Sequence, residues 1–365
     1  MTTATLNEEL SVATPMTAAA RKLGARDVQC APVIDGQTLP LCVTPLNPAL
    51  RSDPAVFAAW YQARLAVIDE LLDEFGAVLW RGFAVPDTAD FGRLGALYPP
   101  HAHGYTAGAA PRKAIAGQVY ESTRMPAPFK IGLHQEKAYM ASFPRLLAFY
   151  CKKVAEAGGE TPLCDMRALT RRLASSVQTR FAKHGVMYRR NFAAPDVRVP
   201  DTAHPANTPF AEYHRPWHEA FDTTDRTAVE TLCRERALSY EWLADGSVTV
   251  SHVGPALLAH PRTGDVVWFN QASAQHPNQR SMGELSFRYL ERVFRERASF
   301  PYEIRLGNGE PISLADLDPV YDALDAETRT FGWQAGDFLI IDNMLVAHGR
   351  NPFTGSRDIQ VMLLD

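Results

Sequence analysis

Leu133-His134-Gln135-Glu136, read together with His348 near the other end of the chain, is the stretch on which the architecture turns. A His and a carboxylate two residues apart, plus a distant His, form a three-point clamp for a metal. Two imidazoles and one carboxylate on one face of an ion leave the opposite positions open, the facial-triad pattern. The spacing suits a β-strand or its exit, because residues i and i+2 of an extended chain point to the same side. His134 and Glu136 then reach one ion while Gln135 turns away. Taken alone the tripeptide is common, and a surface His beside a solvated Glu is the blander reading. Its surroundings decide.

The 365 residues allow one large domain or two ordinary ones, with a core that needs no staples. Composition is 46% hydrophobic and 21% charged, with a mean hydropathy of −0.19. The formal charge of −4 gives no support for binding nucleic acid or an anionic membrane through a basic patch. Cys30, Cys42, Cys151, Cys164 and Cys233 are odd in number, scattered, and free of any Cys-X-X-Cys, which points to reduced thiols in a cytoplasmic setting. Cys151 and Cys164 sit in apolar runs and read as core. No apolar run approaches the ~20 residues of a membrane span. Residues 1–30, rich in Ala and Thr at their start, read as a weakly ordered leader, and 31–365 as a single domain.

Ser52-Asp53-Pro54 reads as a helix start. Phe57, Trp60, Tyr61, Leu65, Ile68, Leu71, Leu72 and Phe75 then recur at helical spacing until Gly76 closes the helix. Ala77 to Arg81 reads as a short buried strand and Asp87 to Tyr98 as a second helix. Beyond Pro99, apolar runs shorten: Leu146–Tyr150, Val248–Val250, Val266–Phe269, Phe338–Ile341 and Ile359–Leu364. Short strands separated by turn residues predict a sandwich or barrel. Helical patterns interrupt them at Met166 to His184 and Asp225 to Glu235, and residues 189–224 read as a long excursion. The fold class expected is α+β, built around a β-core.

Several segments resemble one family in shared order: Gly76-Ala-Val-Leu-Trp-Arg-Gly-Phe83, Leu133-His-Gln-Glu136 with Phe143-Pro-Arg145, Gly158-Gly-Glu-Thr-Pro162, His260-Pro-Arg-Thr-Gly-Asp265, Trp333-Gln-Ala-Gly-Asp337, and Asp342 to Arg350 with Phe353-Thr-Gly-Ser-Arg357. The chain is similar to the TauD/clavaminate-synthase-like Fe(II)/2-oxoglutarate dioxygenases, in particular the secondary-metabolism branch with syringomycin-type aspartyl hydroxylases. The resemblance implies a double-stranded β-helix (jelly-roll) core with flanking helices and long insertions. It implies His134, Glu136 and His348 as ligands of Fe(II), with O2 and 2-oxoglutarate as cosubstrates. It implies that Thr161 and Arg357 hold a carboxylate of 2-oxoglutarate, a guanidinium being suited to bidentate pairing. Relatives often carry a second basic residue where this chain has Asp358, and Arg350 is the fallback for Arg357. Related halogenases lack the carboxylate ligand. Glu136 therefore favours oxygen insertion.

The function implied is hydroxylation of an unactivated C–H in an amino acid or similar small metabolite, free or tethered to a carrier protein. Two alternatives stay open: the same iron chemistry ending in desaturation or epoxidation, and a non-catalytic metal-binding protein with a relic site. Other residues read mainly as structural. His214, His218 and Glu219 suit a lid or packed loop better than a second metal site. His276 suits a structural bond. Lys137, Tyr139, Arg112 and Ser122 are weaker candidates for the pocket wall.

Overall fold

A computed structural model describes residues 17–34, 36–102, 114–122, 125–196, 216–294 and 300–365. Its centre is an eight-stranded sheet in the order Val28–Ile34, Gln37–Pro45, Ala77–Trp80, Phe338–Asp342, Leu146–Lys153, Asp358–Leu364, Val119–Glu121, Ala114–Ala116. The central strands are continuous apolar runs because both faces are covered. Val78, Trp80, Leu146, Ala148, Tyr150, Phe338 and Ile340 point to one face, where the helical residues Phe57, Tyr61, Ile68, Leu71 and Leu72 pack on them. Their alternates Leu79, Leu147, Phe149, Leu339 and Ile341 point to the other, where Leu163, Cys164, Val346 and Ala347 join the core. Those last residues belong to a second, four-stranded sheet in the order Thr328–Arg329, Leu163–Asp165, Val346–Arg350, Ile131–His134. A third sheet, Ser239–Trp242, Val248–Gly254, Val186–Phe192, Tyr302–Leu306, carries its own small core with Val229 and Cys233 of the helix Arg226–Glu235.

The mixed helix-and-sheet class agrees with the expectation, but several boundaries do not. The expected helix from Pro54 is two helices, Pro54–Gln62 and Leu65–Phe75. Asp53 caps the first by accepting from the N–H groups of Ala55 and Val56. The break at Ala63 and Arg64 has no sequence breaker. Arg64 instead donates to Leu23 O at 3.0 Å and Trp60 O at 3.1 Å, so tertiary bonds hold the bend. Gly76 does end the second helix, in the left-handed conformation at φ 74°, with its N–H donating to Leu72 O. Met166 to His184 likewise splits, into Met166–Arg172 and Ser175–His184. Residues 189–192 lie in a strand rather than an excursion.

Residues 17–30, expected as part of a weakly ordered leader, are ordered against the core. Thr17 caps the helix Ala18–Lys22, Leu23 is fully buried, and Asp27 accepts from Trp60 Nε1 at 2.9 Å, so the residues from 17 to 30 are tied to the core. Residues 1–16, Arg112 and His214 lie outside the described residues.

Candidate functional site

The strands Val346–Arg350 and Ile131–His134 pair antiparallel with His348 directly opposite His134. The two imidazole centroids are 4.4 Å apart. Glu136 follows on the strand's exit rather than on the strand itself. One ligand atom from each of His134, Glu136 and His348 lies within 4.8 Å of the others, the one such metal-capable group among the described residues. Glu136 and His348 are buried at 7% and 6% exposure, and His134 is half-buried. His134 Nδ1 donates to Gly132 O at 2.9 Å, which leaves Nε2 as its lone-pair nitrogen.

The exit loop is held from both sides. Asn343 Oδ1 accepts from the Glu136 N–H at 2.7 Å, and Asn343 Nδ2 donates to Glu136 O and Pro144 O, both at 2.9 Å. Gln135 turns away from the cluster and donates to Met344 O, while its own carbonyl accepts from Gln271 Nε2. Asp342 fixes the Asn343 turn, accepting from the Met344 and Leu345 N–H groups and from His260 Nε2. Gly349 lets the two strands approach: a Cβ there would stand 2.6 Å from Ile131 O.

Beside the imidazoles lies a cavity lined by Thr161, Arg357, Phe149, Ile359 and Ser122. Phe149 packs at a tilt against the His348 ring, centroids 5.1 Å apart. Arg357 lies across Phe353, and among the described residues its hydrogen bonding is limited to Nε, which donates to Gly159 O at 2.8 Å. Burial, with Arg350 nearby, pushes the Arg357 guanidinium down to about 10. Gly159 is required here. It sits at φ 76°, and a Cβ would meet the Arg357 side chain at 3.0 Å. Thr161 is 3% exposed and accepts from Trp333 Nε1 at 3.1 Å.

Other expectations change. Arg350, the fallback for Arg357, borders the cavity, but Nη1 donates to Met125 O and Nη2 to Pro126 O and Phe129 O, so it buttresses a loop. Asp358 faces Lys152 at 3.8 Å. His276 donates from Nε2 to Ile312 O, a structural bond. Tyr139 packs against Tyr188. Lys137 is neither solvated nor a wall of the cavity: it is fully buried at φ 59°, with Nζ 3.2 Å from His101 Nε2, and His101 Nδ1 donates to Asp365. Sequence reading passed over Asn343, Trp333 and Gly349 as site residues, although all three lie in or beside the segments that carried the resemblance.

A buried cluster of two imidazoles and one carboxylate opening on a cationic cavity defines the class of mononuclear non-heme iron oxygenases. The chain belongs to the TauD/TfdA family: the model described as taurine catabolism dioxygenase TauD, TfdA family, matches residues 43–363. It is an Fe(II)- and 2-oxoglutarate-dependent dioxygenase. It is 33% identical over 298 residues to the dapdiamide synthesis protein DdaC of Enterobacter agglomerans, covering 82% of this chain and 84% of that one. It is 30% identical over 302 residues to a clavaminate synthase-like protein of Arabidopsis thaliana, covering 81% and 83%. The crystal structure of a putative alpha-ketoglutarate-dependent taurine dioxygenase from Burkholderia xenovorans superposes with a TM-score of 0.50 at 15% identity, covering 92% of each chain, which speaks to the fold alone. No helix among the described residues is long and apolar enough to cross a membrane.

Proposed function

We propose that this dioxygenase hydroxylates an unactivated C–H of an amino acid or related small metabolite, free or carrier-tethered, in secondary metabolism in the cytoplasm. The observation that carries the reading is Glu136: a carboxylate stands where halogenases keep a vacancy, so once 2-oxoglutarate and O2 take the open positions none is left for a halide. The likeness to a dapdiamide synthesis protein supports the metabolic setting. In this reading the two facing sheets are a double-stranded β-helix formed by one domain.

The residues fit the iron. His134 Nε2, a Glu136 carboxylate oxygen and a His348 ring nitrogen would hold it, the right donor set for Fe(II). Arg357 and Thr161 would hold the far carboxylate of 2-oxoglutarate. The bound metal and cosubstrate supply the oxidative chemistry, consuming O2 and releasing succinate and CO2. The protein's own work is orientation. Asn343 fixes the Glu136 backbone, Gly132 O fixes the His134 ring, and Phe149 with Ile359 keeps the cavity apolar between its polar ends. No side chain needs to move a proton in the C–H step.

The test is turnover of purified protein with Fe(II), 2-oxoglutarate, O2 and a panel of amino acids, free and carrier-loaded. Succinate formation stimulated by one substrate, with a +16 product mass, is the expected result. A −2 or +14 product would replace hydroxylation with another outcome, and no succinate together with no Fe(II) binding would reject the assignment.

A further inference from the structure

We infer that Trp333 is a positioning residue for the cosubstrate, acting through Thr161. This rests on the proposed assignment of Thr161 and Arg357 to the far carboxylate of 2-oxoglutarate. A hydroxyl has one hydrogen to donate and two lone pairs to accept with, and left alone it rotates among them. An indole N–H can only donate. Trp333 Nε1 occupies a Thr161 Oγ1 lone pair at 3.1 Å, and among the described residues this is the hydrogen bond Thr161 Oγ1 makes. The hydroxyl hydrogen is therefore turned toward the cavity that Thr161 lines with Arg357. A carboxylate accepts and cannot donate, so a hydroxyl preset as donor recognises it without reorganising.

The indole is itself held in place. Trp333 begins a tight turn in which the Gln334 N–H donates to Asp337 Oδ2 at 2.7 Å. Asp337, 1% exposed, forms a two-pronged pair with Arg81, at 3.0 Å to Nε and 2.7 Å to Nη2, and Arg81 also donates to Gly332 O. Phe331 packs against the indole with ring centroids 5.1 Å apart. The segments Gly76 to Phe83 and Trp333 to Asp337 thus work together: the first supplies the guanidinium that sets the turn, and the turn aims the indole at Thr161.

The experiment is a double-mutant cycle on Fe(II)-loaded protein without O2, with 2-oxoglutarate affinity measured by calorimetry. Trp333→Phe keeps an aromatic ring and removes the N–H. Thr161→Val keeps the shape and removes the hydroxyl. Thr161→Val is expected to weaken binding about tenfold and Trp333→Phe about fivefold, the size of one hydrogen bond. The double variant should bind no more weakly than Thr161→Val, because the indole acts through the hydroxyl. Oxalate, which chelates the metal but has no far carboxylate, should bind all variants equally. That control separates aim from general damage, and Trp333→Leu repeats the cycle if the Phe variant melts early. Unchanged affinity in Trp333→Phe, fully additive losses, or equal losses for oxalate would overturn the inference while leaving Thr161 in place. Unchanged affinity in Thr161→Val would overturn the underlying assignment as well.

Discussion

At the scale of single residues, the metal cluster and its supports make separable demands. His134→Ala removes one of three donors, and Fe(II) binding and succinate formation should both fall below detection. Asn343→Ala leaves the donor and acceptor it served on Glu136 without a partner in a buried loop, at about 1–3 kcal/mol for each group. Metal affinity, read by competition with a chelator, should drop at least tenfold even at temperatures where the variant is folded. Arg357 carries a different cost. Its pKa is depressed in the folded protein, so the unfolded chain binds more protons between about 10 and the ordinary guanidinium range. The resulting penalty is complete below about 10 and fades as pH rises through it. Arg357→Met should therefore melt no lower than the wild type near neutrality, yet lose the stabilisation that added 2-oxoglutarate confers. In the wild type that stabilisation should be level from about pH 6 to 9 and shrink beyond about 10, as a scan of melting temperature against pH would show.

Among elements, the strands Val346–Arg350 and Ile131–His134 decide whether a cluster exists at all. Gly349→Ala would press a methyl onto Ile131 O, and the pairing must open to admit it. A loss of about 1–3 kcal/mol in denaturant unfolding, with weakened metal binding, is the expected outcome. Much of this level was legible in the sequence. The apolar runs at Leu146–Tyr150, Phe338–Ile341 and Ile359–Leu364 are strands, and Gly76 ends its helix, because local pattern and turn chemistry agree there with the fold. The break at Arg64 was not legible, since it is held by carbonyls of Leu23 and Trp60 rather than by a breaker residue. Lys137, a weaker candidate for the pocket wall in sequence, is buried instead, because only the fold brings His101 and Asp365 beside it. Sequence prefers Arg357 and keeps Arg350 as its fallback, and only the fold shows Arg350 bonded to the carbonyls of Met125, Pro126 and Phe129.

For the whole molecule, the central sheet is covered on both sides, by helices on one face and the cluster-bearing sheet on the other. Cys42, Cys151 and Cys164 are buried within these layers and Cys233 in the small core of the third sheet, and burial pushes Cys42 to about 11 and Cys151 to about 12. Alkylation at pH 8 should leave Cys42, Cys151, Cys164 and Cys233 untouched in the native state and modify them after unfolding, as intact-mass measurement would record. The likeness to known relatives was carried by motifs scattered from residue 76 to 357, and the sheets bring those at His134, Thr161, His348 and Arg357 to one cavity.

Two guanidiniums border that cavity, and Arg350 is near enough to Arg357 to depress its pKa. Such a cavity sorts the keto acids of a cell by charge before it sorts them by shape. A dianion relieves the crowding of positive charge, while a singly charged keto acid such as pyruvate relieves less of it. Pyruvate should therefore compete with 2-oxoglutarate at least about tenfold more weakly than a five-carbon dianion does, as displacement calorimetry on the Fe(II)-loaded protein would show.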